Sequence, residues 1–218
     1  MKKGSCIIIG AGDLTVGSIS YDGEVDYVIA ADGGLMYCPV LDVEPDLIIG
    51  DFDSVDEEYL SAIDLIEEAD GERVVRLPRE KDDTDMLSAV KVGLELGYTS
   101  FRLYGANGGR LEHTIANIQV LQYLKAHGAV GYIMDGTGMI LLAVEETVSF
   151  RESMEGYISV FSLGDEAEGV TIKGLKYELL DATLTNAMPL GVSNEFIGCE
   201  SEITVEKGSL LIIINWAE

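Results

Sequence analysis

The sequence predicts an α/β N-terminal domain with a parallel sheet over residues 1–138, followed by a smaller antiparallel β-sandwich domain over 139–218. Three observations carry this. Up to about residue 138, short apolar runs alternate with helix-period segments, the pattern of strands and helices in α/β layers. After "DGTGM" (135–139) the chain changes to short β-like stretches separated by glycine and acidic turns, as an antiparallel sandwich with one wet face requires. With 47% apolar residues in 218, the chain can bury the core of one large or two small domains.

The opening "MKKGSCIIIGAGD" joins a basic start to an apolar run, but the run is short, ends at Gly10 and is soon followed by Asp13. It reads as a first buried strand rather than a signal peptide. Further buried strands are expected at 28–30, 47–49, 101–104 and 132–134. A helix from about Val55 has a capping box in Ser54 and Glu57 and an apolar face of Leu60, Ile63 and Ile66. A second spans 85–96 and stops at Gly97, and a third runs from Leu111 through Ile115, Ile118 and Leu121 to Gly128. In the second part, "YISVF", "VTIKG", "ATLTN" and "SEITVEKGSLLIIIN" read as strands, with Ile203 and Val205 alternating against Thr204 and Glu206.

Charge narrows the function. Against 14 basic residues stand 39 acidic ones, a net charge of −25, which repels nucleic-acid phosphates and anionic membrane surfaces and draws cations inward. Neither nucleic acid nor membrane is expected as a partner, and the apolar run at 210–214 is far too short to span a bilayer. Cys6, Cys38 and Cys199 are odd in number and far apart, which makes them reduced thiols of a cytoplasmic protein rather than a disulfide or zinc framework.

Three polar constellations sit where strands give way to helices, the place at which open α/β sheets hold ligands. In "GDFDS" (50–54), strand-like alternation would send Asp51 and Asp53 to one side and Phe52 to the other; a capped, solvated turn is the plainer alternative. "KDDTD" (81–85) precedes a helix, where Asp and Thr also serve as caps. Taken together, the two acidic loops supply the carboxylate oxygens that Mg²⁺ shares with substrate phosphates and retained water, and Lys81 adds a fixed positive charge. "YGANGGRLEHTIAN" (104–117) is a glycine-rich loop opening a helix, an anion site to which Arg110 can add a bidentate grip. His113 is either a phosphate partner or a helix surface residue. The sequence has no G-x-x-x-x-G-K-[ST], and Gly10 and Gly12 alone suit a plain tight turn.

"AADGG" (30–34), "GDFDS" (50–54), "EKDDTD" (80–85), "GGRLEHTIAN" (108–117), "GLKYEL" (174–179) and "VSNEF" (192–196), in this order, resemble the thiamine pyrophosphokinase (thiamine diphosphokinase) family over nearly the whole chain. The resemblance implies a homodimer that transfers a pyrophosphoryl group from ATP to thiamine with Mg²⁺, its α/β domain catalytic and its sandwich binding thiamine and forming the dimer. By the same resemblance Asp51, Asp53 and Asp85 hold the metal. Asp32, Gly33, Lys81, Thr84, Asn107, Gly108, Arg110 and His113 lie on the nucleotide and its phosphates, and Ser193, Asn194 and Glu195 near thiamine. Asp51, Asp53, Asp85, Lys81 and Arg110 form the catalytic set. Read as residues alone, "VSNE" equally suits a β-turn, Tyr177 and Trp216 suit either ring stacking or core, and Asp83 is one option for the general base. A pyrophosphokinase for another hydroxyalkyl heterocycle, such as a pterin, and a non-catalytic cation- or nucleotide-binding module are the other readings.

Overall fold

A computed structural model describes residues 3–53 and 55–217. Ser54 lies outside the described residues, and the helix expected from about Val55 starts at Glu57 with Asp56 at its N-cap, so Glu57 opens the first turn instead of closing a capping box. The chain divides into two compact units, residues 1–136 and 137–218.

The first unit is built on six parallel strands, β1 (Cys6–Ile9), β2 (Tyr27–Ala31), β3 (Leu47–Gly50), β4 (Val74–Arg76), β5 (Ser100–Tyr104) and β6 (Val130–Met134). Their order is β6-β5-β1-β2-β3-β4. Among the described residues four α-helices accompany them, α1 (Cys38–Leu41), α2 (Glu57–Ala69), α3 (Asp85–Glu95) and α4 (Leu111–Ala126). One sheet face, with Ile7, Ile9, Val28 and Ile48, clusters with Leu41 of α1 and Ile63 of α2. The other face carries Cys6 and Ile8, which are also fully buried. There Gly93 of α3 comes so close that a Cβ would lie 2.6 Å from Phe101 and 2.8 Å from the Cys6 sulfur. Burial on both faces is why β1, β2 and β3 read as continuous apolar runs.

Edges and helix faces differ from the sequence expectation. The edge strand β4 has only three residues, of which Val75 and Arg76 are exposed, so no apolar run marks it. On α4 the buried side is Asn117, Val120, Leu121 and Leu124, while Leu111 and Ile115 are exposed. The apolar face expected to start at Leu111 is therefore rotated toward the helix's second half. The expectation for α3 holds: the Thr84 hydroxyl caps it by accepting from Leu87 N–H at 3.1 Å, and Gly97, at φ +82°, follows its end.

Among the described residues the second unit contributes two sets of four antiparallel strands. One has the order β12-β9-β14-β7, from β7 (Gly138–Val144), β9 (Tyr157–Ser162), β12 (Gly191–Glu195) and β14 (Ser209–Asn215). The other has the order β11-β10-β13-β8, from β8 (Thr147–Phe150), β10 (Glu166–Lys173), β11 (Leu179–Thr185) and β13 (Ser201–Thr204). Ile203 and Val205 are buried and Glu206 is exposed, as their alternation requires. "VSNE" is not a free turn. It belongs to β12, whose register shifts between Gly191 and Asn194, where Ser193 takes a left-handed φ of +58°.

Candidate active site

In the first unit the chain steps outward from β1 to β4 and then returns to place β5 on the other side of β1. Such a reversal leaves a crevice at the carboxyl ends of the strands. Here it is a cleft of about 560 Å³ lined by Gly10, Ala11 and Gly12 after β1, Asp32 after β2, and Asp51 and Asp53 after β3. Arg79, Lys81 and Asp83 to Met86 line it from the β4–α3 connection, Gly105, Ala106, Gly108, Gly109 and Arg110 from the β5–α4 loop, and His113 and Asn117 from α4.

The acidic wall is set by an unusual backbone. Phe52 is buried at 3% exposure with a left-handed φ of +57°, a conformation that costs free energy in a bulky residue and collects at functional sites. The segment is therefore a turn and not an extended strand end. Asp51 and Asp53 both line the cleft because Phe52 is tucked inward between them, not because side chains alternate. The turn is closed by the Asp53 N–H donating to Asp51 Oδ1 at 3.2 Å. The other oxygen of Asp51 accepts from Lys81 Nζ at 2.8 Å, and Asp85 Oδ1 lies 3.2 Å from the same ammonium.

This arrangement separates two carboxylates electrostatically. The Lys81 ammonium, helped by the Asp53 amide, holds the Asp51 carboxyl below its ordinary range. Burial, reinforced by the charges of Asp32 and Asp51, pushes Asp85 up despite Lys81. Burial also works against the charge on Lys81, but its contacts with Asp51 and Asp85 outweigh that and keep the ammonium above its usual value. The Asp83 carboxylate is engaged by Lys91 Nζ.

The opposite wall is backbone. Gly10 N–H donates to Tyr104 O and Gly12 N–H to Gly105 O, both at 2.8 Å. A Cβ on Gly105, whose φ is +56°, would fall 2.3 Å from the Gly10 carbonyl oxygen. The first glycine turn is thus a close approach between two strand ends, which the sequence reading treated as a local tight turn. Asn117, which closes the 104–117 motif but is given no role there, is buried in this wall and donates to Ala106 O at 2.6 Å.

Several expected residues are placed differently. Arg110 reaches the rim, with its side chain 73% exposed and paired with Glu112 at 2.7 Å. In the glycine loop read as an anion site, Gly109 N–H donates to the Asp13 carboxylate at 3.2 Å. Gly33 and Asn107 are not among the lining residues; the Asn107 amide fastens its loop to Asp135. In the second unit, Asn194 is 6% exposed and spent on main chain: Oδ1 accepts from Tyr177 N–H and Glu195 N–H, each at 2.9 Å, and Nδ2 donates to Tyr177 O at 2.6 Å. Glu195 pairs with Lys176 at 2.7 Å, and Ser193 N–H donates to Ser159 Oγ at 3.0 Å. Val192, next to Ser193 in the sequence, and Tyr177, whose main chain Asn194 binds, are exposed.

Among the described residues no three His, Cys, Asp or Glu side chains are grouped as a ready metal cage. Mg²⁺ does not need one, since it commonly takes one or two carboxylates and completes its shell with phosphates and water. Hard oxygen donors, with one carboxylate crowded by two others, fit that ion. No helix among the described residues is long and apolar enough to cross a membrane.

Fold and cleft together define a ligand-binding α/β protein with an acidic, glycine-edged site at its strand ends, joined to a β-sandwich. Family models match both parts: residues 20–132 as thiamin pyrophosphokinase, catalytic domain, and residues 145–210 as thiamin pyrophosphokinase, vitamin B1 binding domain. Thiamine pyrophosphokinase of Bacillus subtilis is 27% identical over 214 residues, covering 98% of both chains. The crystal structure of the Bacillus subtilis enzyme superposes with a TM-score of 0.86 at 27% identity, over 98% of this chain and 100% of that one. That of the Geobacillus thermodenitrificans enzyme gives 0.83 at 27% identity, over 98% and 97%. The chain belongs to the thiamin pyrophosphokinase family, whose members transfer a pyrophosphoryl group from ATP to thiamine.

Proposed function

We propose that the protein catalyses this transfer itself, giving thiamine diphosphate and AMP, with Mg²⁺ held by Asp51, Asp53 and Asp85. The observation that carries the reading is the convergence of Asp51 and Asp85 on Lys81, across a cleft edged by glycine backbone. Phosphoryl transfer asks mainly for positioning and charge neutralisation rather than a protein nucleophile. The thiamine hydroxyl oxygen attacks the β-phosphorus, the bond from that phosphorus to the α–β bridging oxygen breaks, AMP leaves with that oxygen, and the hydroxyl proton passes to a base or solvent. Mg²⁺, when bound, supplies neutralisation of the developing charge on the phosphoryl oxygens.

The chain's own groups divide the remaining work. Lys81 and the backbone of Gly108 receive phosphate oxygens, with Arg110 and His113 at the rim. Asp32 and Thr84 bound the nucleotide side, and Gly33 and Asn107 shape it from behind. In the second unit Ser193 and Glu195 face thiamine, and Asn194 holds Tyr177 in place. The first unit is thus catalytic and the second binds thiamine and forms a homodimer. The buried thiols of Cys6 and Cys38, pushed by burial up to about 12 and about 11 and not in disulfides, suit a reducing cytoplasm.

The test is AMP release from ATP and Mg²⁺ with thiamine, with a pterin alcohol, and with no acceptor. AMP with thiamine alone is expected. AMP only with the pterin alcohol would move the reading to another acceptor, and nucleotide binding without any AMP would leave a binding module.

A further inference from the structure

Lys81 Nζ stands 2.8 Å from Asp51 Oδ2 and 3.2 Å from Asp85 Oδ1, and its side chain is only 14% exposed. Asp32 lines the same cleft. Building on the function proposed above, we infer that Lys81 is a place-holder for the metal and makes the site selective for the metal–nucleotide complex over the bare cation. The ammonium and a divalent ion require the same carboxylate oxygens and repel each other, so they cannot share them at contact distance. A bare cation entering the free protein must break both contacts by which Lys81 now bridges Asp51 and Asp85, and offers the ammonium no new acceptor in return.

A cation arriving on a polyphosphate meets a different balance. It takes the Asp51 and Asp85 oxygens while the phosphates offer Lys81 new acceptors, so each charge leaves one partner for another. In a protein of net charge −25, which concentrates free cations at its surface, this exchange keeps the centre from filling with an ion that brings no substrate. Lys81 is therefore a specificity-determining residue as well as a phosphate ligand. Coupling of this kind is reciprocal: Lys81 weakens the bare ion as much as the bare ion displaces Lys81.

The experiment measures Mn²⁺ binding without nucleotide, by electron paramagnetic resonance of the free ion and by the shift in melting temperature. Wild type is expected to bind weakly at this site. Lys81→Met should bind Mn²⁺ about tenfold more tightly or better, because a unit charge at contact distance no longer opposes the ion, and its melting temperature should rise with Mn²⁺. Lys81→Arg, which keeps the charge, should stay weak, and adding Asp51→Asn to Lys81→Met should abolish the gain, which separates this site from diffuse binding to surface acids. Lys81→Gln carries the same expectation as Lys81→Met and replaces it if that variant does not fold. Mn²⁺ binding no tighter in the neutral variants than in wild type would overturn the inference. Wild-type AMP formation is measured on the same preparation: its absence would defeat the proposed function, whereas normal AMP formation with unchanged Mn²⁺ affinity would defeat the place-holder alone.

Discussion

Asp51 and Asp85 in the cleft and Asn194 on β12 are all polar and largely shielded from water, yet they are used in opposite ways. Asn194 satisfies both ends of its amide with main chain of its own unit. Burial, reinforced by a crowd of like charge, raises the pKa of Asp85, which has one lysine to share. A polar group closed on its own backbone maintains the fold, whereas groups left in mutual repulsion at strand ends await a ligand. Replacing the two kinds should therefore damage different properties.

The largest effect is expected on turnover. Asp53→Ala should lower AMP formation by about 10²-fold or more, as does the loss of one preorganised electrostatic stabiliser, with circular dichroism unchanged. Full turnover at saturating Mg²⁺ would leave GDFDS a structural turn with no part in holding the metal.

Asn194→Ala should instead act on stability. It strands the Tyr177 carbonyl and two N–H groups, a loss of about 1–3 kcal/mol, readable as a lower denaturation midpoint even without ligands. An unchanged midpoint together with a raised KM for thiamine would turn Asn194 into a ligand-facing residue and erase the contrast.

The two aspartates should differ in sign when no divalent ion is present. The folded-state pKa of Asp51 is lowered, so its ionised form stabilises the fold above the unfolded value and that contribution is lost as pH falls through the folded one. The folded-state pKa of Asp85 is raised, so its charge is a burden at neutral pH that is relieved as pH falls through that value. At pH 7, Asp51→Asn should lower the melting temperature and Asp85→Asn should raise it, although both lose activity; below both carboxyl pKa values the differences should fade. Shifts of the same sign would refute the separation of the two environments.

The smallest effect belongs to Arg110→Ala. Its side chain is 73% exposed and already paired, and exposed pairs are worth at most about 1 kcal/mol. A few-fold rise in KM for ATP with kcat nearly unchanged is expected, and a large fall in kcat would show that the loop closes on substrate and carries Arg110 inward.

Strands β1, β2 and β3 were legible because burial on both faces leaves unbroken apolar runs, β5 and β6 because apolar residues still dominate around Arg102 and Gly131, and α3 because Thr84 and Gly97 mark its ends. β4 left no such trace, having one buried residue in three, and β12 none, since Val192 and Ser193 are exposed on an irregular edge. The acidic loops were visible as motifs, but the way they converge was not. Alternation assumed an extended chain where Phe52 turns left-handed, and no local rule gives that conformation to a phenylalanine. Gly10 and Gly105 show the same limit: their contact joins residues far apart in the chain, so the signal at Gly10 lies in its partner rather than beside it. Arg110 illustrates the converse, a cation in a glycine loop whose nearest carboxylate, Glu112, lies two residues on and engages it first.

The central claim is that this cleft moves a pyrophosphoryl group as one unit. It is tested most directly with ATP radiolabelled at the β-phosphorus, incubated with Mg²⁺, thiamine and the protein, and resolved by chromatography. The account predicts that the label leaves the nucleotide and appears in thiamine diphosphate at the rate at which AMP forms. Label retained in ADP, with thiamine monophosphate as the other product, would contradict it.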